Sequence, residues 1–255
     1  MSCILHIETS TAVCSVAVSD DSQVIFRQED HSDQKGSSAE RLGPIVSEAM
    51  SFADSHAIPL DAVAVSCGPG SYTGLRIGVS MAKGVCYGQG LPLVSVPTLE
   101  LLCVPVLLRD EMEVKTCATD AAGQFTLLAS RRPIEDDALL CPMIDARRME
   151  VYAAIYTRAL TPVRETRADI VDADTYREWL DQRPVYFFGN GAKKCMPTIN
   201  HPNARLIEDI EPLARWMQPL AERKLINGQT EDVAYFEPAY LKDYVAKLPK
   251  SPLTL

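Results

Sequence analysis

A chain of 255 residues with a formal charge of −9 and an ordinary share of apolar residues is long enough to bury a sizeable core, in one large or two small domains. The acidic balance argues against stand-alone nucleic-acid binding, which relies on clustered lysine and arginine to displace counterions, though not against a role beside a basic partner. Eight cysteines without a Cys-x-x-Cys pair read as small buried hydrophobes of a reducing compartment. No basic leader and no stretch near the ~18 apolar residues of a membrane span are present, so the expected location is the cytoplasm, away from membranes.

Cys3–Ile7 reads as a short strand ending in the polar turn Glu8-Thr9-Ser10-Thr11. Val13–Val18 returns, and Asp20-Asp21 leads into a third strand, Val24–Gln28, completing a meander. After a polar loop at His31–Gly36, Ser37 or Ser38 caps a helix that runs to about Asp54. Leu42, Ile45, Val46, Ala49, Met50 and Ala53 form its apolar face, with Pro44 in its first turns. Ala62–Cys67 is a buried strand. Gly68-Pro69-Gly70 turns it into a helix capped by Ser71 or Thr73, reaching Gly90. Gly70, Gly74, Gly78, Ala82, Cys86 and Gly90 recur at every fourth position. Each interior glycine costs about 1 kcal/mol relative to alanine, and close packing of another backbone on that bare stripe would offset the cost. The turn lacks the lysine of a phosphate loop, the third glycine of a dinucleotide fingerprint and the spacing of a nucleophile elbow. Its amides at Gly68, Gly70 and Ser71 either receive an anion or simply serve a tight turn. A strand at Leu93–Val96 and a helix from Thr98 to about Leu108 follow.

The same order then repeats. Leu139–Ile144 stops at Asp145, Val151–Tyr156 returns, and Val163–Arg167 is a third strand. Asp174 caps a helix through Asp181, Val185–Phe188 is a strand closed by Gly189-Asn190-Gly191, a strand lies near Arg205–Ile207, and a helix covers Glu211–Lys224. Two halves, each βββαβα with a mixed sheet, match the α/β two-domain actin-like, ribonuclease-H-like (ASKHA) architecture. The expected division is 1–103 and 104–255. Arg109–Pro133 reads as an insertion with a short strand at Phe125–Ala129, Ala239–Lys247 as helical or extended, and Leu248–Leu255 as a loose tail. The first strand of each half stops at an acid. Glu8 and Asp145, with Thr9 and Ser10 beside the first, either hold magnesium or nucleotide across a cleft or cap turns and pair with Arg76, Arg147 or Arg148. None of the four histidines pairs with a second ligand residue or marks itself as a base for Ser71.

Ile7–Thr11, Cys67–Gly78, Asp145–Tyr152 and Phe188–Ala192, in this order along nearly the whole chain, resemble the TsaB (also called YeaZ) family of bacterial tRNA threonylcarbamoyladenosine modification. Gly68-Pro69-Gly70-Ser71-Tyr72-Thr73-Gly74-Leu75-Arg76 is the most specific run. The resemblance implies a non-catalytic partner of a TsaD-type catalytic subunit, working with a TsaE-type ATPase. That subunit transfers threonylcarbamoyl to N6 of adenosine 37 in tRNAs reading codons that begin with A. It implies pairing through helices at about 38–54 and 72–90, as a homodimer when alone, with Leu42, Ile45, Ala49, Gly74, Gly78, Ala82 and Cys86 as candidate contacts. It implies tRNA reached only through the complex, no cofactor of the chain's own, and ATP and magnesium only at the level of the complex. Thr98 and Leu102 stand where TsaD-type subunits carry a metal-binding histidine pair, and Glu8–Ala12 lacks phosphate-loop glycines. The alternative from another class is an actin-like ATPase using Glu8 and Asp145, or a hydrolase using Ser71.

Overall fold

The computed structural model describes residues 2–31, 38–120 and 122–241, without the side chains of residues 38 and 39. The expected cap at Ser37 or Ser38 and the tail beyond Leu241 lie outside what is described. The first sheet holds β1 (Cys3–Glu8), β2 (Cys14–Asp20), β3 (Gln23–Asp30), β4 (Ala62–Gly68) and β5 (Leu93–Pro97), in the order β3-β2-β1-β4-β5. The meander is antiparallel, while β1, β4 and β5 are parallel. Helices α1 (Ser38–Ser55) and α2 (Tyr72–Gln89) cover one face, where Cys3, Leu5 and Ile7 of β1 meet Leu42, Ala49, Val79 and Ala82. Ile4 points to the other face, against Ala64, Val94 and Leu220. Burial on both faces is why β1 and β4 read as continuous apolar runs instead of alternating ones.

The second sheet holds β6 (Met112–Thr119), β7 (Phe125–Arg132), β8 (Leu139–Asp145), β9 (Glu150–Tyr156), β10 (Pro162–Ile170), β11 (Val185–Phe188) and β12 (Ala204–Ile207), in the order β10-β9-β8-β11-β12-β6-β7. Its first five strands repeat the order of the first sheet. The segment expected as an insertion, Arg109–Pro133, is instead the β6–β7 hairpin, which extends this sheet by pairing β6 antiparallel to β12. Helix α4 (Arg177–Leu180) is a single turn inside the expected Asp174–Asp181, and α5 (Ala192–Ile199), which sequence patterning missed, follows the Gly189-Asn190-Gly191 turn.

Helix α3 (Thr98–Leu107) is apolar all round because it serves both halves. Leu99, Leu102, Cys103 and Val106 pack with Leu140, Tyr186 and Phe188, whereas Leu101 and Val104 pack with Val94 and Val96. A division at 103/104 therefore falls inside a shared helix. The chain also returns. After a 3-10 turn at Ala214–Trp216, α6 (Gln218–Ile226) lays Leu220 and Ala221 on the first sheet against Ile4 and Ala62. It starts seven residues later than the helix expected from Glu211, after Pro212 and with Pro219 in its first turn. No helix among the described residues is long and apolar enough to cross a membrane.

Candidate functional site

The turn after β1 is seated directly on α2. A β-carbon added to Gly70 would lie 2.4 Å from the Ser10 carbonyl oxygen, one on Gly74 2.0 Å from that of Thr9, and one on Gly78 2.2 Å from Thr9 Oγ1. The Ser71 amide donates to the Ser10 carbonyl at 2.7 Å, and the Thr9 hydroxyl donates to the Gly74 carbonyl at 2.8 Å. Ser71 Oγ accepts from the Gly74 amide at 3.2 Å, so the expected cap is present. The bare stripe thus receives this chain's own backbone. Leu42, Ile45, Ala49, Gly74, Gly78, Ala82 and Cys86, expected as partner contacts, are buried inside the chain's own core. That placement corrects the expectation.

The same packing fills the expected anion turn. Ser71's amide and hydroxyl are engaged as described, and the Ala239 amide donates to the Cys67 carbonyl at 2.8 Å across the top of the turn. The Ala239 carbonyl oxygen lies 2.8 Å from where a Gly68 β-carbon would be, and Gly68 sits at φ 110° before a cis Pro69. Gly68, Gly70 and Ser71 therefore cradle protein backbone. The covering segment, which sequence reasoning missed, is strapped on by Lys83 Nζ donating to the Ala234 and Phe236 carbonyls at 3.1 and 3.0 Å. Tyr240 stacks on Tyr72 with ring centres 4.6 Å apart.

The two acids sit in opposite surroundings. Glu8 is fully buried, as are Thr9 and Ser10. The Ser10 amide donates to Glu8 Oε1, while Oε2 has no partner among the described residues. Burial pushes the Glu8 carboxyl up to about 7, against the opposing pull of the hydrogen bond from the Ser10 amide. Asp145 is largely exposed and held by Lys194 Nζ at 2.6 Å and the Arg147 amide at 2.7 Å. Burial would raise its pKa, but Lys194 and Arg147 outweigh that and hold it below the usual range. A sealed carboxyl and a carboxylate already engaged by a lysine do not make a shared magnesium site. Among the described residues no group of three or more His, Cys, Asp or Glu could hold a metal ion. Thr98 and Leu102 are both buried, and Leu102 Cδ1 lies 3.3 Å from the β-carbon position of Gly189. An apolar side chain thus fills the junction of the halves at one of the two places given to the expected metal pair.

The second half repeats the turn device. Gly189 sits at φ 92°, a β-carbon on Gly191 would lie 2.9 Å from the Asp145 amide nitrogen, and Asn190 Oδ1 accepts from that amide at 2.9 Å.

The accessible surface of α2 is a different stripe. Ile77, Met81 and Val85, with Met50 from α1, line a shallow apolar groove floored by Gly84 and Gly88. Among the described residues nothing lies within 4 Å of the β-carbon position of either glycine, so the helix backbone is open there. Arg76 stands at one end, its Nη1 donating to the Tyr72 hydroxyl at 3.3 Å. The i, i+4, i+8 spacing of Ile77, Met81 and Val85 was the sequence signal for this face.

A family model described as TsaD, tRNA N6-adenosine threonylcarbamoyltransferase, matches residues 31–178. The tRNA threonylcarbamoyladenosine biosynthesis protein TsaB of Escherichia coli is 29% identical over 259 residues, covering 96% of this chain and 98% of that protein. The protein of the same name from Bacillus subtilis is 29% identical over 194 residues, covering 73% of this chain and 70% of its own. The solved structure of YeaZ from Pseudomonas aeruginosa superposes with a TM-score of 0.69 at 21% identity, covering 94% of this chain and all of that one, and shows the same fold.

Proposed function

This chain belongs to the TsaB (YeaZ) family, and from that premise we propose that it is a non-catalytic partner in tRNA threonylcarbamoyladenosine biosynthesis. It supports a TsaD-type subunit that transfers threonylcarbamoyl to N6 of adenosine 37 in tRNAs reading codons that begin with A. The observation that carries this reading is the state of the would-be pocket. Glu8 is sealed, Asp145 is engaged by Lys194, protein backbone fills the Gly68–Ser71 turn, and Thr98 and Leu102 offer nothing for a catalytic metal. The duplicated β3-β2-β1-β4-β5 order supports the actin-like, ribonuclease-H-like reading of the fold. The chain keeps the frame of a two-half catalyst without its reactive groups.

Function then lies on a surface. The open groove of Ile77, Met81, Val85, Gly84 and Gly88 on α2 has the small-residue floor and apolar walls that let a second helix approach closely. The same helices that sequence reading assigned to pairing supply it, through outward residues. In this reading the chain is a cytoplasmic protein, self-pairs when alone, works beside a TsaE-type ATPase, and leaves ATP and magnesium to the complex. The test is reconstitution of tRNA modification from purified subunits with and without this chain, alongside Met81→Arg. Modification is expected to need the chain, and the variant is expected to stay folded but no longer co-elute with the catalytic subunit. Equal modification without the chain would overturn the proposal, as would substrate turnover by the chain alone.

A further inference from the structure

The β8–β9 turn carries two successive arginines in the left-handed region, Arg147 at φ 74° and Arg148 at φ 50°. That region suits glycine and tolerates asparagine; other side chains are held there only where the surroundings impose it. Here a single lysine does so. Lys194 Nζ, from the first turn of α5, donates to Asp145 Oδ1 at 2.6 Å, to the Arg148 carbonyl at 2.6 Å and to the Glu150 carbonyl at 2.7 Å. Asp145 in turn accepts from the Arg147 amide. The lysine thereby fixes the turn and neutralises its nearest carboxylate. Both arginines are exposed, and among the described residues neither forms a salt bridge.

Several other basic groups meet the chain's own acids: Lys115 and Lys193 meet Glu208, Arg215 meets Glu29, and Arg41 meets Asp30. We propose that the Arg147–Arg148 tip grips the phosphodiester backbone of the tRNA inside the assembly, so that this chain touches the substrate directly. The inference rests on the pathway reading above and adds a second working surface to it. Guanidinium forks match phosphate oxygens in a way that a lysine point charge does not. Two forks side by side on a fixed turn suit a polyanion whose charges run in a line. Phosphate contacts position a nucleic acid without reading its sequence, so a rigid tip on an otherwise acidic protein serves docking, not general RNA affinity.

The test uses the reconstituted assembly with the catalytic subunit and a transcript of a tRNA carrying adenosine 37, titrated by fluorescence anisotropy over a range of salt. The variant is Arg147→Asn together with Arg148→Gly, residues at ease at positive φ, so a loss of binding cannot be laid to misfolding. Expected are a melting temperature no lower than that of the parent, unchanged co-elution with the catalytic subunit, and tRNA affinity weaker by about tenfold. The slope of log K against log salt should be shallower by about one to two. Arg147→Lys with Arg148→Lys should keep the slope. If the parent assembly binds tRNA and the Asn–Gly variant binds it equally well with the same slope, the tip proposal falls and the partner reading stands. If the variant instead loses the catalytic subunit, the tip is a protein contact and the proposal is overturned. If the parent assembly binds no tRNA, the tip proposal falls together with the pathway reading.

Discussion

A β-carbon on Gly78 would stand 2.2 Å from the hydroxyl oxygen of Thr9, whereas one on Gly84, six residues along the same helix, would meet none of the described residues within 4 Å. The two glycines therefore have different reasons to exist. Gly78, with Gly74 four residues before it, lets the β1–β2 turn sit on α2. Gly84 keeps the outer backbone bare.

That contrast makes the first prediction. Gly74→Ala and Gly78→Ala force the Thr9 turn away and are expected to cost on the order of 2–4 kcal/mol, as overpacking in a tight core does. Gly84→Ala gains helix propensity and should stabilise the isolated chain by up to about 1 kcal/mol. Urea denaturation of the three variants decides it. Equal effects at Gly78 and Gly84 would mean that the seat of the turn is misplaced.

Glu8 gives a stability profile with a definite sign. Its folded pKa, about 7, lies above the ordinary 4.5 because burial disfavours the charge. A raised pKa means that the folded state binds the proton more tightly. The contribution is therefore fully present below about 4.5 and is lost as pH rises to about 7. Glu8→Gln should match the parent near pH 4.5 and exceed it above pH 7 by roughly 3 kcal/mol, read from denaturant midpoints across the range. A difference that does not change with pH would show that Glu8 is ionised and solvated.

His6 works in the opposite direction. It is fully buried on β1, its Nε2 sits 2.7 Å from Ser19 Oγ, and Nδ1 has no partner among the described residues. Burial lowers its pKa from 6.5 to about 3. Stability is therefore intact above 6.5 and falls as pH drops toward 3, by several kcal/mol at roughly 1.4 per pKa unit. Replacing His6 with glutamine should flatten the acid limb between pH 6 and 4 while leaving stability at pH 8 within about 2 kcal/mol. An unchanged acid limb would place the unfolding protons elsewhere.

What could be read without coordinates follows from the same physics. The parallel core strands β1, β4, β8 and β11 are buried on both faces, so short apolar runs bounded by turn residues located them within a residue or two. The cap was legible as Ser71 or Thr73, and the structure shows Ser71 accepting from the Gly74 amide. Which stripe of α2 is left open was not legible. Helical spacing shows that Gly74–Gly78 and Gly84–Gly88 are both bare, but only the position of the Thr9 turn tells which row is covered. Helix α5 is eight residues long with Pro197 inside, too short and broken to show a period. Of the β6–β7 hairpin, sequence reading found the start of β7 at Phe125–Ala129; β6 escaped because its buried residues Met112, Val114 and Cys117 do not keep a clean alternation.

Strand β10 hides one more relationship of this kind. Arg164 and Asp169 are five residues apart, an odd spacing that in a regular strand sends side chains to opposite faces. The pairing with β9 shifts register between Arg164 and Arg167, and this irregularity brings the two together, each less than a tenth exposed. Asp169 Oδ2 accepts from Arg164 Nη2 and from the Tyr176 hydroxyl at 2.8 Å, and the guanidinium lies 5.1 Å from the Tyr176 ring centre and 5.6 Å from that of Trp179. Burial opposes the charge on Arg164, and the Asp169 hydrogen bond restores it. Removing Asp169 strands Arg164 in the core, whereas Asp169 keeps Arg167 and the Tyr176 hydroxyl if Arg164 is removed, so Asp169→Ala is expected to cost about 3–5 kcal/mol. Arg164→Met combined with Asp169→Leu should recover much of that loss, because a filled apolar site no longer holds an unpaired charge. Guanidinium denaturation of the two singles and the double gives the coupling energy. A value near zero would mean that the two groups are solvated separately and that the shifted register does not join them.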